Sequence, residues 1–154
     1  GTSSHFMTDG IWADIYVFTK KRNPDFIFGF LNEFLPNHLE TADEYEIPRY
    51  SSSPTKVFDK ANELIQYCCR QQDVEQAVYW SNENENEPRS AMIFFTEDGH
   101  LILGLSTDDS SLEDHYLTSL MDFCDSQAGY IAYESPPEMT EEAFRSMARN
   151  YNRV

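Results

Sequence analysis

Glycine, cysteine and positive charge are all scarce in this chain. The 154 residues hold six glycines, spread singly, so no Gly-rich phosphate loop can be built from them. No G-x-S-x-G nucleophile elbow occurs either. The three cysteines, Cys68, Cys69 and Cys124, are an odd and poorly spaced set. Adjacent cysteines rarely bridge each other, and no histidine stands at metal-ligand spacing from any of them. All three are therefore expected as reduced, partly buried thiols. No apolar run reaches the length of about eighteen residues that a membrane helix needs. Eleven Lys and Arg stand against 27 Asp and Glu, a formal net charge of −16. Phosphate backbones and anionic lipid repel such a chain, which argues against nucleic acid and membrane partners and favours a basic protein.

The first residues lack the basic and apolar regions of a signal peptide, and residues 1–7 read as a tag remnant and start. Residues 8–154 read as a single α+β domain, long enough for a substantial core and expected in the cytoplasm. Its centre is predicted at 91–106, where two apolar runs flank Asp98-Gly99. That dipeptide favours a type I′ turn, which needs positive φ at both central residues. The runs are apolar on both alternating sets, so these strands should be covered on both faces.

The remaining elements follow from periodicity and capping. Residues 12–20 form a first strand, with Ala13, Ile15 and Val17 on one face and Trp12, Tyr16 and Phe18 on the other. The basic cluster Lys20-Lys21-Arg22 reads as a charged strand end. Asn23-Pro24 caps a helix that carries Phe26, Ile27, Phe30, Leu31 and Phe34 and stops before Pro36. Residues 37–44 read as polar loop, and Tyr45-Glu46-Ile47 as a short strand. Ser53-Pro54 is predicted to start a second helix bearing Val57, Phe58, Ala61, Leu64, Ile65 and Cys68, ending near Gln71.

A strand at 76–80 precedes the acidic tract 81–87. Beyond the hairpin, Ser110-x-x-Glu113 matches a capping box for a helix bearing Leu112, Tyr116, Leu120 and Phe123, with Gly129 as its C′ residue. Residues 130–133 make a last strand. Thr140 caps a last helix, with Phe144 and Met147 inward. The fold class is α+β: a mixed, largely antiparallel sheet built on the 91–106 hairpin, with helices packed against it.

No catalytic, cofactor or metal motif emerges. Glu83, Glu85 and Glu87 are spaced two apart, which suits neither a helix face nor a calcium loop. The histidines are scattered: His5, His38, His100 and His115. A partner surface is expected instead on acidic loops: Glu83, Glu85 and Glu87 in the tract, Glu97 and Asp98 at the hairpin tip, and Asp108 and Asp109 beside that tip. The tract and the tip lie at opposite ends of strand 91–95, so they form two surfaces of which one need bind. Tyr79 and Trp80 are candidate aromatic anchors, with strand packing the simpler role.

The strings 91–109 (AMIFFTEDGHLILGLSTDD) and 128–138 (AGYIAYESPPE), separated by a helix, resemble bacterial immunity proteins of contact-dependent and polymorphic toxin systems. The resemblance covers about a third of the chain, residues 91–142. It implies a cytosolic, non-enzymatic inhibitor without a cofactor, which binds the C-terminal domain of one cognate toxin, often a basic nuclease. An inhibitor of a basic enzyme gains from being acidic, because complementary charge speeds encounter and excludes wrong partners. Two other readings compete. One is an adaptor or scaffold subunit, which would expose an apolar patch. The other is a small enzyme with an acid/base site around Asp108, Asp109, Asp114 and His115, which would need a pocket with convergent carboxylates.

Overall fold

The expected hairpin forms and occupies the middle of a six-stranded sheet. The computed structural model describes residues 12–152, with side chains to Tyr151. The reading of residues 1–7, His5 included, lies outside them. The hairpin strands are β6 (Ser90–Phe95) and β7 (Leu101–Thr107). On one side β6 pairs with β5 (Gln76–Asn82), which pairs with a three-residue edge strand, β2 (His38–Glu40). On the other side β7 pairs with β1 (Ala13–Thr19), which pairs with β8 (Gly129–Tyr133). The order is β2-β5-β6-β7-β1-β8, and every pairing is antiparallel. A separate two-stranded ribbon joins β3 (Tyr45–Ile47) to β4 (Lys56–Phe58).

The two-sided apolar pattern of the hairpin has the predicted consequence. One sheet face, with Ile15, Val17, Ile93, Phe95, Leu103 and Leu105, packs against three helices. These are α1 (Pro24–Phe34), α2 (Ala61–Arg70) and α3 (Glu113–Cys124). The other face, with Tyr16, Phe18, Phe94, Ile102 and Tyr130, is covered by α4 (Glu141–Asn152) through Phe144 and Ala148. No helix among the described residues is long and apolar enough to cross a membrane.

Capping explains where the helices begin. The Asn23 side chain accepts the Phe26 N–H at 2.9 Å, and Pro24 fills the first helical position as expected. For α2 the prediction fails. Val57 and Phe58 are drawn into the β3–β4 ribbon, and the helix starts only at Ala61. Its cap comes from far away: Glu40 Oε1 accepts the Ala61 N–H at 2.9 Å and the Tyr45 hydroxyl at 3.0 Å. The predicted loop at 37–44 therefore contains a strand, β2, that carries this capping carboxylate.

The capping box at 110–113 is replaced as well. Asp109 accepts the Ser111 N–H at 3.0 Å and caps a 3-10 turn, Ser110–Leu112, that leads into α3. Asp125, not Gly129, closes α3 in the left-handed conformation (φ 51°). Gly129 instead lies in β8 at a point of close approach. A Cβ there would meet Leu117 Cδ1 at 2.9 Å and Val17 Cγ2 at 3.0 Å.

At the hairpin tip only Gly99 has positive φ (86°). Its N–H bonds to Thr96 O and the Thr96 N–H to His100 O. This is a three-residue loop with Gly in the left-handed bulge position, rather than type I′. On α4, Thr140 Oγ1 accepts the Ala143 N–H as expected, and Phe144 is fully buried. Met147 is 40% exposed, and Ala148 takes the inward position instead.

Arg22 is the one buried charge of the basic cluster. Its Nε donates to Cys68 O, one terminal nitrogen to Thr96 O and His100 O, and the other to Gln71 O and Val74 O. The guanidinium also lies over the Phe95 ring, 5.0 Å from its centroid. It thus ties the end of β1, the carboxyl end of α2 and the hairpin tip together through backbone oxygens.

Candidate functional site

Strand register decides which acidic loops are neighbours. Ser81, Ser90 and Ser106 lie side by side on β5, β6 and β7. The tract that follows Ser81 and the Asp108-Asp109 pair that follows Ser106 therefore share one end of the sheet. The expectation that Asp108 and Asp109 flank the hairpin tip is corrected: the tip, with Glu97 and Asp98, is at the opposite end. At the tract end, Arg89 bridges to Asp108 at 3.7 Å.

The tract is pinned by its first residues. The Asn82 amide donates to Asn86 O at 3.3 Å and Pro88 O at 3.0 Å, and the Glu83 N–H reaches Asn37 O at 2.8 Å. Glu85 takes a left-handed conformation (φ 55°), which turns the chain. Glu83 and Glu85 are thereby held out in water, whereas Glu87 folds back and is half-buried.

Glu87 opens onto a groove of about 770 Å³ between α1 and α3. The carboxyl end of α1 gives it Glu33, Phe34 and Pro36, the tract gives Glu87 and Pro88, and α3 gives His115, Tyr116, Ser119, Asp122 and Phe123. The α3 residues recur at helical spacing, so they form one stripe beside its buried face. Its aromatic wall is fixed by packing: Phe34 meets Phe123 edge-on with centroids 5.6 Å apart. The Tyr116 hydroxyl donates to Glu87 Oε1 at 3.3 Å. Burial pushes the Glu87 carboxyl above its ordinary pKa. Asp108 alongside adds to this, while bonds from Thr107 and Tyr116 oppose it. Three carboxylates line the groove, and no Lys or Arg does.

Among the other predicted residues, Asp98 and Asp109 have internal duties. Asp98 Oδ2 accepts the Glu141 N–H at 2.8 Å and so caps α4, while its other oxygen takes the Thr96 hydroxyl. Asp109 is the cap described above. Glu97 is exposed at the tip. Trp80 is buried in the core at 2% exposure, while Tyr79 is 40% exposed on the opposite sheet face. Of the residues suggested for an acid/base site, His115 lines the groove with its ring against Tyr116, and Asp108 reaches Arg89. Among the described residues no group of three or more His, Cys, Asp or Glu side chains is arranged to hold a metal ion. The three thiols are unpaired, and burial pushes those of Cys68 and Cys124 up to about 12.

The sequence pointed to Glu87 and Asp108 but missed Glu33, Ser119, Asp122 and the aromatic wall. His115, Ser119 and Asp122 do form a polar stripe that the α3 periodicity could have shown. Nothing in the spacing says that this stripe faces Glu33 and Phe34, some eighty residues earlier. The chain matches no protein-family model, no curated protein and no solved structure.

Proposed function

We propose that this protein is a non-enzymatic acidic inhibitor, an immunity protein that binds and neutralises a basic toxin domain, and that it binds through the tract end of the sheet. The carrying observation is the joining of Glu83, Glu85, Glu87 and Asp108 at one sheet end, continuous with a groove that has carboxylates and no Lys or Arg. A surplus of negative charge over this face, where Arg89 is the cation tied to Asp108, steers an oppositely charged partner and rejects others. The net charge of −16 supports the same reading, as does the resemblance of residues 91–142 to immunity proteins. Three unpaired thiols suit a cytosolic setting.

The test is binding to the C-terminal domain encoded immediately upstream, at low and high salt. Tight binding that weakens with salt and abolishes the partner's activity is the expected result. Replacing Glu83, Glu85 and Glu87 together by Gln should then slow association about tenfold. Absence of binding at both salt concentrations would overturn the proposal.

A further inference from the structure

The groove between α1 and α3 has more character than the acidic face around it. We infer that it is the seat for an arginine side chain carried on a loop of the protein partner, with its guanidinium on Glu87 and its stem against Phe34, Tyr116 and Phe123. This inference rests on the inhibitor reading for the existence of that partner, and on the groove's own chemistry for the side chain.

Size comes first. At about 770 Å³ the groove is in the range of a ligand pocket and can hold a long side chain with part of its backbone. Charge comes second. Glu33, Glu87 and Asp122 stand around the groove, and the lining offers no Lys or Arg to neutralise them, His115 being its one basic side chain. Glu87 is the most constrained of the three: the Tyr116 hydroxyl bonds one of its oxygens and Asp108 crowds it. A cation arriving there meets a carboxylate that is already positioned and partly desolvated. Its charge would add to that of Arg89, which bridges Asp108 at 3.7 Å, in offsetting the repulsion between Glu87 and Asp108.

The walls select among cations. A metal ion asks for several oxygens converging at one point, and no such group occurs among the described residues. Here the carboxylates are spread around an aromatic wall of Phe34, Tyr116 and Phe123, with Pro36 and Pro88. An ammonium group is compact and strongly hydrated, and gains little from such a surface. A guanidinium is planar and weakly hydrated, stacks on aromatic rings and meets a carboxylate with two parallel bonds. Arginine is also the cation most enriched at interface centres.

The experiment is a nitrogen–proton correlation titration of the full chain with three capped tripeptides, Gly-Arg-Gly, Gly-Lys-Gly and Gly-citrulline-Gly. The Arg peptide should bind with a Kd on the order of 1 mM and shift the amides of Glu87, Tyr116, Ser119 and Phe123. The Lys peptide should bind several-fold more weakly, and the uncharged citrulline peptide should give no saturable shift. Glu87→Gln should weaken the Arg peptide about tenfold, while Glu97→Gln, exposed at the opposite end of the sheet, leaves it unchanged. Ser119→Arg, which places a guanidinium in the groove from a half-buried helix position on its lining, should abolish binding in a chain whose spectrum is otherwise preserved.

Shifts centred elsewhere, equal binding of the citrulline peptide, or no saturation at roughly ten times the expected Kd would overturn the assignment. The two readings fail separately. A toxin domain that binds wild type and Ser119→Arg alike removes the groove and leaves the inhibitor. An arginine peptide seated in the groove of a protein that binds no toxin does the reverse.

Discussion

At the scale of single residues, Arg22 is a buried cation held in a cage of five backbone oxygens. Thr96 O and His100 O each accept another backbone N–H, from Gly99 and from Thr96, and Gln71 O accepts that of Val74. Loss of the guanidinium therefore falls mainly on Cys68 O and Val74 O, at about 1–3 kcal/mol for each orphaned oxygen. Arg22→Met should lower unfolding free energy in urea by about 2–6 kcal/mol, a large part of what a domain of this size has. A loss below about 1 kcal/mol would show that water replaces the cage.

Asp14 offers a pH-dependent case. Burial, with Glu134 adding to it, raises its carboxyl from 3.8 to about 6. Between these values the folded state holds a proton that the unfolded chain has lost, so this group's contribution falls as pH rises from about 4 to about 6. Asp14→Asn should match wild type in thermal midpoint near pH 4 and exceed it at pH 7.5. Equal midpoints at both would disprove the shift.

At the scale of elements, what the sequence disclosed and what it hid separate by range. The β6–β7 hairpin, the Asn23 cap and the apolar stripe of α1 depend on residues within a few positions of each other, and all were legible. The start of α2 was not, because Val57 and Phe58 answer to β3 and the cap is Glu40. Gly129 looked like a helix terminator because only its neighbours in sequence were visible. Its reason is the Leu117 methyl and the Val17 side chain pressed against β8. Gly129→Ala should therefore destabilise by about 1–3 kcal/mol through overpacking. Gly104→Ala should cost less, because its added methyl meets the flexible Met92 side chain and the Tyr16 ring, at 3.1 Å each. Chemical denaturation of both variants ranks them, and the reverse order would contradict this account.

At the scale of the molecule, the acidic residues include two contrasting populations. Glu40, Asp98 and Asp109 cap helical segments and are neutralised by backbone N–H groups. Glu83, Glu85 and Glu97 are held in water. A net charge of −16 then leaves real self-repulsion, which salt screens. Raising ionic strength from about 20 mM to about 500 mM should raise the thermal midpoint by roughly 2–4 °C, equivalent to about 1 kcal/mol at this size. A midpoint that falls would mean that ion pairs such as Lys20–Glu141 and Arg145–Glu141 outweigh the repulsion.

The strand order also governs how the molecule is made. β1 is the first described strand to leave the ribosome, yet both of its neighbours, β7 and β8, come from the distal half of the chain. About eighty residues must be added after β1 before β7 begins, roughly 4–16 s of translation at ordinary rates. Through that interval a segment apolar on both faces has no native edge to pair with. A nascent chain stalled before residue 101 should therefore expose β1 to chaperones and proteases, and release past β8 should withdraw it.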